Sequence, residues 1–162
     1  MLRDLSAPQL MLAAATALTI LATAVTTASG QAANDERRKR GEAVIRTLNA
    51  GQEQPTLEAL RKEFPFLADA IAGYALGDVW ARPGLDNRTR QIAAVAAFAA
   101  LGDRSFVKIH AGYALNVGVT EEELKEIVNM TTVHAGFPRA IEAAQTLSEL
   151  FAERREKSKE RQ

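Results

Sequence analysis

Apolar residues recur at intervals of three and four along most of this chain, and no stretch alternates with the two-residue period of a half-buried strand. After a charged opening over 35–42, Val44, Ile45 and Leu48 predict a first helix that ends near Gly51. Pro55 opens a second, with Leu57, Leu60 and Phe64 on one face, and Pro65 interrupts it or starts another. Phe66, Leu67, Ile71, Tyr74 and Ala75 carry an apolar stripe on to Trp80. Residues 81–86, Ala-Arg-Pro-Gly-Leu-Asp, read as a turn, because proline fixes one dihedral and glycine permits a positive one.

The second half has clearer punctuation. Asp86 or Asn87 is placed to cap an Ala-rich run over 88–101, with Ile92, Val95, Ala96 and Ala99 along one side and Gly102 as its stop. Phe106, Ile109, His110, Tyr113, Ala114 and Val117 then share one helix face, closed by Gly118. Thr120 and Glu123 spell a capping box, in which each side chain takes the other's orphan amide. The helix that follows aligns Leu124, Ile127, Val128, Thr131 and His134. Gly136 ends it, and Pro138 opens a last helix with Ile141, Ala144, Leu147 and Leu150 expected inward. The fold class is all-α, a bundle of about six helices.

The N-terminus follows another rule. Arg3 precedes an uncharged apolar run from Leu10 to about Ala28, and small residues fill 27–33. This predicts a secretory signal over 1–30, cut after Ala28, Gly30 or Ala32; the alternative is an uncleaved N-terminal membrane anchor. Either way the working domain, expected over 34–155, lies outside the cytoplasm, in the periplasm or secreted. A cleaved chain would keep no stable membrane association. Residues 156–162 form a charged tail.

Composition narrows the chemistry. A chain of 162 residues holds one domain. The absence of cysteine removes disulfides, thiolate metal sites, thiol nucleophiles and dithiol redox chemistry together. Twenty basic residues balance twenty acidic ones, so no global field draws the chain to nucleic acid, and a small ligand is the remaining kind of partner.

Two clusters could carry chemistry. His110 and His134 both fall on apolar sides of consecutive helices. Each could be a core ring with both nitrogens satisfied, but two inward imidazoles suggest a pocket in which a proton moves near neutral pH. They lack the spacing of a metal site, and no metal or other cofactor is expected. The second cluster is Asp78, Trp80 and Arg82 at the Pro-Gly turn, followed by Arg88 and Arg90. A guanidinium fork beside an indole holds a carboxylate well. The same arginines could equally be surface residues paired with Asp78, Asp86 or helix ends, and spacing leaves that open.

The ordered set Gly77-Asp78-Val79-Trp80-Ala81-Arg82-Pro83-Gly84-Leu85-Asp86, Asn87-Arg88-Thr89-Arg90, Ala100-Leu101-Gly102, Lys108-Ile109-His110, the segment 114–120 and Ala135-Gly136-Phe137-Pro138-Arg139-Ala140 resembles the carboxymuconolactone decarboxylase family over about 40–150. The resemblance implies the all-helical fold shared with the alkyl hydroperoxidase D group and assembly as a homo-oligomer, a trimer or hexamer. It matches His110 to the family's histidine, and Trp80 and Arg82 to its Trp-x-Arg-Pro-Gly segment. Asp103 and Phe106 stand where the peroxidase branch has its Cys-x-x-Cys pair, so thiol peroxidase chemistry is excluded. Gln91 stands in place of that branch's proton-relaying glutamate, and His134 where the family more often has tyrosine.

The implied reaction is a cofactor-independent decarboxylation, or a related proton transfer, on a small unsaturated lactone or carboxylate. In that reading Arg82 and Arg90 hold a carboxylate and Asp78 belongs to the same binding segment. His110 moves the proton, Trp80 and Tyr113 form an apolar wall, and His134 assists. Another lyase or isomerase on a different small carboxylate would use the same pocket. A non-catalytic oligomeric binding protein of this fold is the alternative from another class.

Overall fold

The computed structural model describes residues 30–160, so the expected signal segment lies outside the described residues except for its last position. These residues form seven α-helices, one π-helix and no strand. The α-helices are α1 over 30–48, α2 Pro55–Glu63, α3 Pro65–Ala70, α4 Asn87–Leu101, α5 Arg104–Asn116, α6 Glu121–Ala135 and α7 Phe137–Lys159. A π-helix, Ile71–Trp80, continues α3 without a break. Among the described residues no helix is long and apolar enough to cross a membrane.

Local chemistry explains the boundaries. Pro55 and Pro65 occupy first turns, where a missing N–H costs nothing. Side chains of Gln54, Asp86, Asp103 and Thr120 each accept a backbone N–H at the start of α2, α4, α5 and α6. The last belongs to the full reciprocal capping box with Glu123. Each such cap is worth about 1 kcal/mol.

Two cores result. In the larger, Val95 and Ala99 of α4 and Ala111 and Ala114 of α5 meet Leu124 and Val128 of α6 and Ala143 and Leu147 of α7. In the smaller, Ile45 and Leu48 of α1, Leu57 of α2, Ala68 of α3 and Leu76 of the π-helix surround Tyr113. Helix α5 therefore serves both, with its alanines toward one core and Tyr113 toward the other.

Helix α1 crosses the π-helix backbone to backbone. A Cβ on Gly41 would stand 1.9 Å from the Ala72 carbonyl oxygen, and one on Gly77 2.1 Å from that of Arg37, so both positions exclude any side chain. Asp78 then takes Arg37 at 2.6 Å and Arg40 at 3.2 Å, tying the two helices together beside the crossing.

Two expectations shift. On α7, Ile141 and Ala144 are exposed, and the buried side runs through Ala140, Ala143, Thr146, Leu147, Leu150 and Phe151. Thr146 hides this stripe from a count of apolar residues. Its hydroxyl donates to the Glu142 carbonyl at 2.8 Å, so it enters the core with its polar group satisfied. Around the junction of α6 and α7, Met130, Val133, Phe137 and Ile141 are all more than half exposed.

Candidate active site

His110 sits at the end of the second turn of α5, half-buried at the seam between the two cores. Its ring stacks on Phe98 of α4 with centroids 5.0 Å apart, and faces Trp80 of the π-helix at 5.8 Å. Phe106 stacks at 6.3 Å, and Tyr113 meets it edge-on at 5.8 Å. The π-helix bears on this directly. Its wider turn closes with Ala81 N–H donating to Leu76 O, five residues back, and that register ends on Trp80.

The imidazole has one polar partner here, Gln91 of α4, whose Oε1 lies 2.9 Å from Nδ1. Gln91 has no exposed surface at all. Burial pushes the His110 pKa down to about 4, because the apolar surroundings disfavour the imidazolium, and no neighbouring charge opposes this. At neutral pH the ring is uncharged.

Three polar atoms of side chains packed against this ring are buried without a hydrogen bond: Trp80 Nε1, Gln91 Nε2 and the Tyr113 hydroxyl. Burial pushes the Tyr113 phenol up; the Gln54 side chain nearby opposes the shift without completing a hydrogen bond. Each unpaired buried group costs about 1–3 kcal/mol. All three can donate, and all belong to side chains that touch His110.

The other expected residues divide. Arg82 is exposed and, among the described residues, in no ion pair. With Arg40, Trp80, Leu85, Asp86 and Asn87 it lines an open cavity of about 540 Å³. His110 is not in that wall, and Trp80 is the residue common to both places. Arg90 is committed to the turn itself, donating to the Arg82 carbonyl at 2.6 Å and the Leu85 carbonyl at 3.1 Å. Asp78 is occupied by the arginines of α1, and Arg88 pairs with Glu123.

His134 does not face inward as its spacing suggested. It is exposed near the end of α6, with Nδ1 3.0 Å from the Met130 carbonyl of its own helix. The buried stripe of α6 passes through Leu124, Ile127, Val128 and Thr131, and one turn later the less exposed place belongs to Ala135. Among the described residues no three His, Asp or Glu side chains gather closely enough to hold a metal ion.

Phe98 escaped the sequence reading, as did the role of Gln91. A signal for the second existed, since Gln91 is a lone amide in line with Val95 and Ala99 on the buried side of α4.

An all-helical bundle with a histidine ringed by aromatics, behind a Trp-x-Arg-Pro-Gly turn, defines the class, and the chain belongs to the carboxymuconolactone decarboxylase family. That family's sequence profile matches residues 65–149, from α3 into α7. Over 120 residues the chain is 33% identical to the 4-carboxymuconolactone decarboxylase of Acinetobacter baylyi, covering 73% of this chain and 90% of that protein. Over 123 residues it is 35% identical to a nitrosuccinic acid decarboxylase of Metarhizium robertsii, covering 71% and 84% respectively. An uncharacterized protein of Methanocaldococcus jannaschii is 28% identical over 95 residues, 59% of this chain and 88% of its own length. These similarities support a decarboxylase-like function on a small molecule.

Proposed function

We propose that this protein is a cofactor-independent carboxy-lyase that acts on a small carboxylic acid carrying its own electron sink. The observation that carries this reading is the neutral imidazole of His110, packed among aromatic rings and against side chains that bear three buried donors without partners. Both similar decarboxylases are named for acids in which the pair of electrons left by CO2 can spread onto oxygen, through an unsaturated lactone in one and a nitro group in the other. Such a reaction asks the protein for a dry pocket, donors for the developing oxyanion and one proton for carbon.

The scheme follows from charge. An incoming carboxylate beside His110 favours the imidazolium and works against burial, so the ring takes up a proton as the acid binds. The carbon–carbon bond to the carboxylate breaks and CO2 leaves. The electron pair rests on the sink, whose oxygen accepts from Trp80 and Tyr113. His110 then returns its proton to the carbon and is neutral again. Arg82 holds a second, retained carboxylate, and Arg90 keeps the Arg82 turn in shape through its two carbonyl bonds. His134, on the surface of a single copy, takes no part in this scheme.

The test is CO2 release from 4-carboxymuconolactone and from nitrosuccinic acid. Wild type should turn over at least one of them, and His110→Ala and Arg82→Ala should each lose at least tenfold in kcat/KM. Activity of both variants within a few-fold of wild type would end the assignment. Binding of an acid by wild type without CO2 release would make the protein a binding module instead.

Two further expectations belong to this reading. The protein works outside the cytoplasm, as the apolar run over 10–28 suggests, and the N-terminal sequence of an extracytoplasmic fraction would test it. It assembles as a homo-oligomer, trimer or hexamer. The exposed Met130, Val133, Phe137 and Ile141 support this, because a monomer gains nothing from such a patch. A light-scattering mass equal to one chain would refute it.

A further inference from the structure

We infer that Gln91 is the positioning residue for this proton transfer: its side-chain carbonyl keeps the resting proton of His110 on Nδ1 and so reserves Nε2 for the substrate. The inference rests on the reading of His110 as proton carrier, and it adds which nitrogen reacts and what decides it.

Gln91 Oε1 lies 2.9 Å from Nδ1, and an amide oxygen only accepts, so in this pairing Nδ1 bears the hydrogen. A neutral imidazole has one hydrogen, which leaves Nε2 with a free lone pair. The groups facing the ring are Trp80 from the π-helix, Gln91 and Phe98 from α4, and Phe106 and Tyr113 from its own helix. Tyr113 is the one titratable group among them, and among the described residues no carboxylate or guanidinium shifts the ring. The choice of nitrogen therefore falls to Gln91.

The amide is also well fixed for the purpose. It is wholly buried on the same side of α4 as Val95 and Ala99, so it cannot swing away into water. Its Nε2 has no partner, which leaves the bond to His110 as its single polar anchor among the described residues. The residue type matters as much as the place. A glutamate here would hold an imidazolium permanently by ion pairing, whereas the uncharged amide supports the ring in either state. The site thus rests uncharged, and the proton enters together with the acid.

The experiment joins spectroscopy and kinetics on the full chain. In a long-range proton–nitrogen spectrum of histidine-labelled protein at pH 7, with His110 assigned against His110→Gln, Nδ1 should show the protonated type of shift and Nε2 the unprotonated type. The reverse pattern overturns the inference. In Gln91→Glu the titration midpoint of His110 should rise by at least about one pH unit, and an unmoved midpoint overturns it. In Gln91→Met, close in volume but unable to accept, kcat should fall about tenfold or more with KM within about threefold.

An unchanged kcat for Gln91→Met overturns the inference even if the spectrum agrees. Should that variant fail to fold, the wild-type spectrum and the Gln91→Glu titration decide. Failure of the parent reading looks different, with wild type releasing no CO2 or His110→Ala remaining active. In that case the tautomer pattern would describe a binding histidine, and the positioning role in proton transfer would fall with it.

Discussion

The two cores are built on different principles. Between α4 and α7 the interior is dominated by alanine and branched aliphatic side chains, with Val95, Ala111, Ala114 and Leu124 wholly buried. The layer of α1, α2 and the π-helix has fewer buried side chains. It relies on a glycine crossing and on carboxylate–arginine pairs at the surface. The residues of the candidate site straddle this boundary. His110, Gln91 and Phe98 stand on helices of the larger core, while Trp80 and Arg82 come from the thinner layer and the turn that ends it. In the proposed scheme the proton carrier therefore stands on a helix of the larger core, and the residues assigned to the acid stand on the thinner layer. The family match begins at residue 65, so α1 and α2 lie outside it although they carry much of the packing around Tyr113.

Four measurements test whether the two cores differ in this way. The largest effect is expected in the C-terminal core, where Leu124→Ala should cost about 3 kcal/mol of unfolding free energy in denaturant, because the close-packed helices cannot collapse into the void. Next comes Gly77→Ala, which sets a methyl group against the Arg37 carbonyl. It should cost about 2 kcal/mol and loosen α1 selectively. Hydrogen exchange should then show lost amide protection over 30–48 while α4–α7 keep theirs; uniform loss would mean that the two cores are one cooperative unit.

The third is acid destabilisation. The fold lowers the His110 pKa from 6.5 to about 4, so above pH 6.5 the ring is neutral in both states and its contribution is unaffected. As the pH falls from 6.5 through 4 the unfolded chain takes a proton that the folded one refuses, and stability drops, the loss being complete below 4. A His110→Gln variant, compared by thermal unfolding at pH 7 and pH 4.5, should lose less on acidification than wild type. The smallest effect belongs to Asp78→Asn, whose two arginine pairs are partly exposed and screened. It should cost less than about 1 kcal/mol.

Much of the fold was legible because its punctuation is chemical. Proline at 55 and 65, Asp86 and the Thr120–Glu123 box act locally, whatever the chain does elsewhere. Facing was harder. Residue 134 continues an apolar spacing that drifts off the buried side within one turn, and Thr146 conceals the true inner edge of α7. The meeting of Trp80 with His110 depends on a π-helical register, which has no simple periodic signature. The Gln91 contact joins positions 19 apart on neighbouring helices, and only their packing brings an amide to that ring. The arginines at 82, 88 and 90 looked equivalent in sequence. Carbonyls of the turn claim one, Glu123 another, and the third remains at the cavity.

Trp80 is the chain's one tryptophan, and it stands beside the half-buried imidazole of His110. A charged imidazolium quenches indole emission more strongly than the neutral ring does. The arrival of a proton next to it would therefore dim the intrinsic fluorescence, and its departure would restore the light. The protein carries its own optical readout of the site, and a stopped-flow trace would need no added dye.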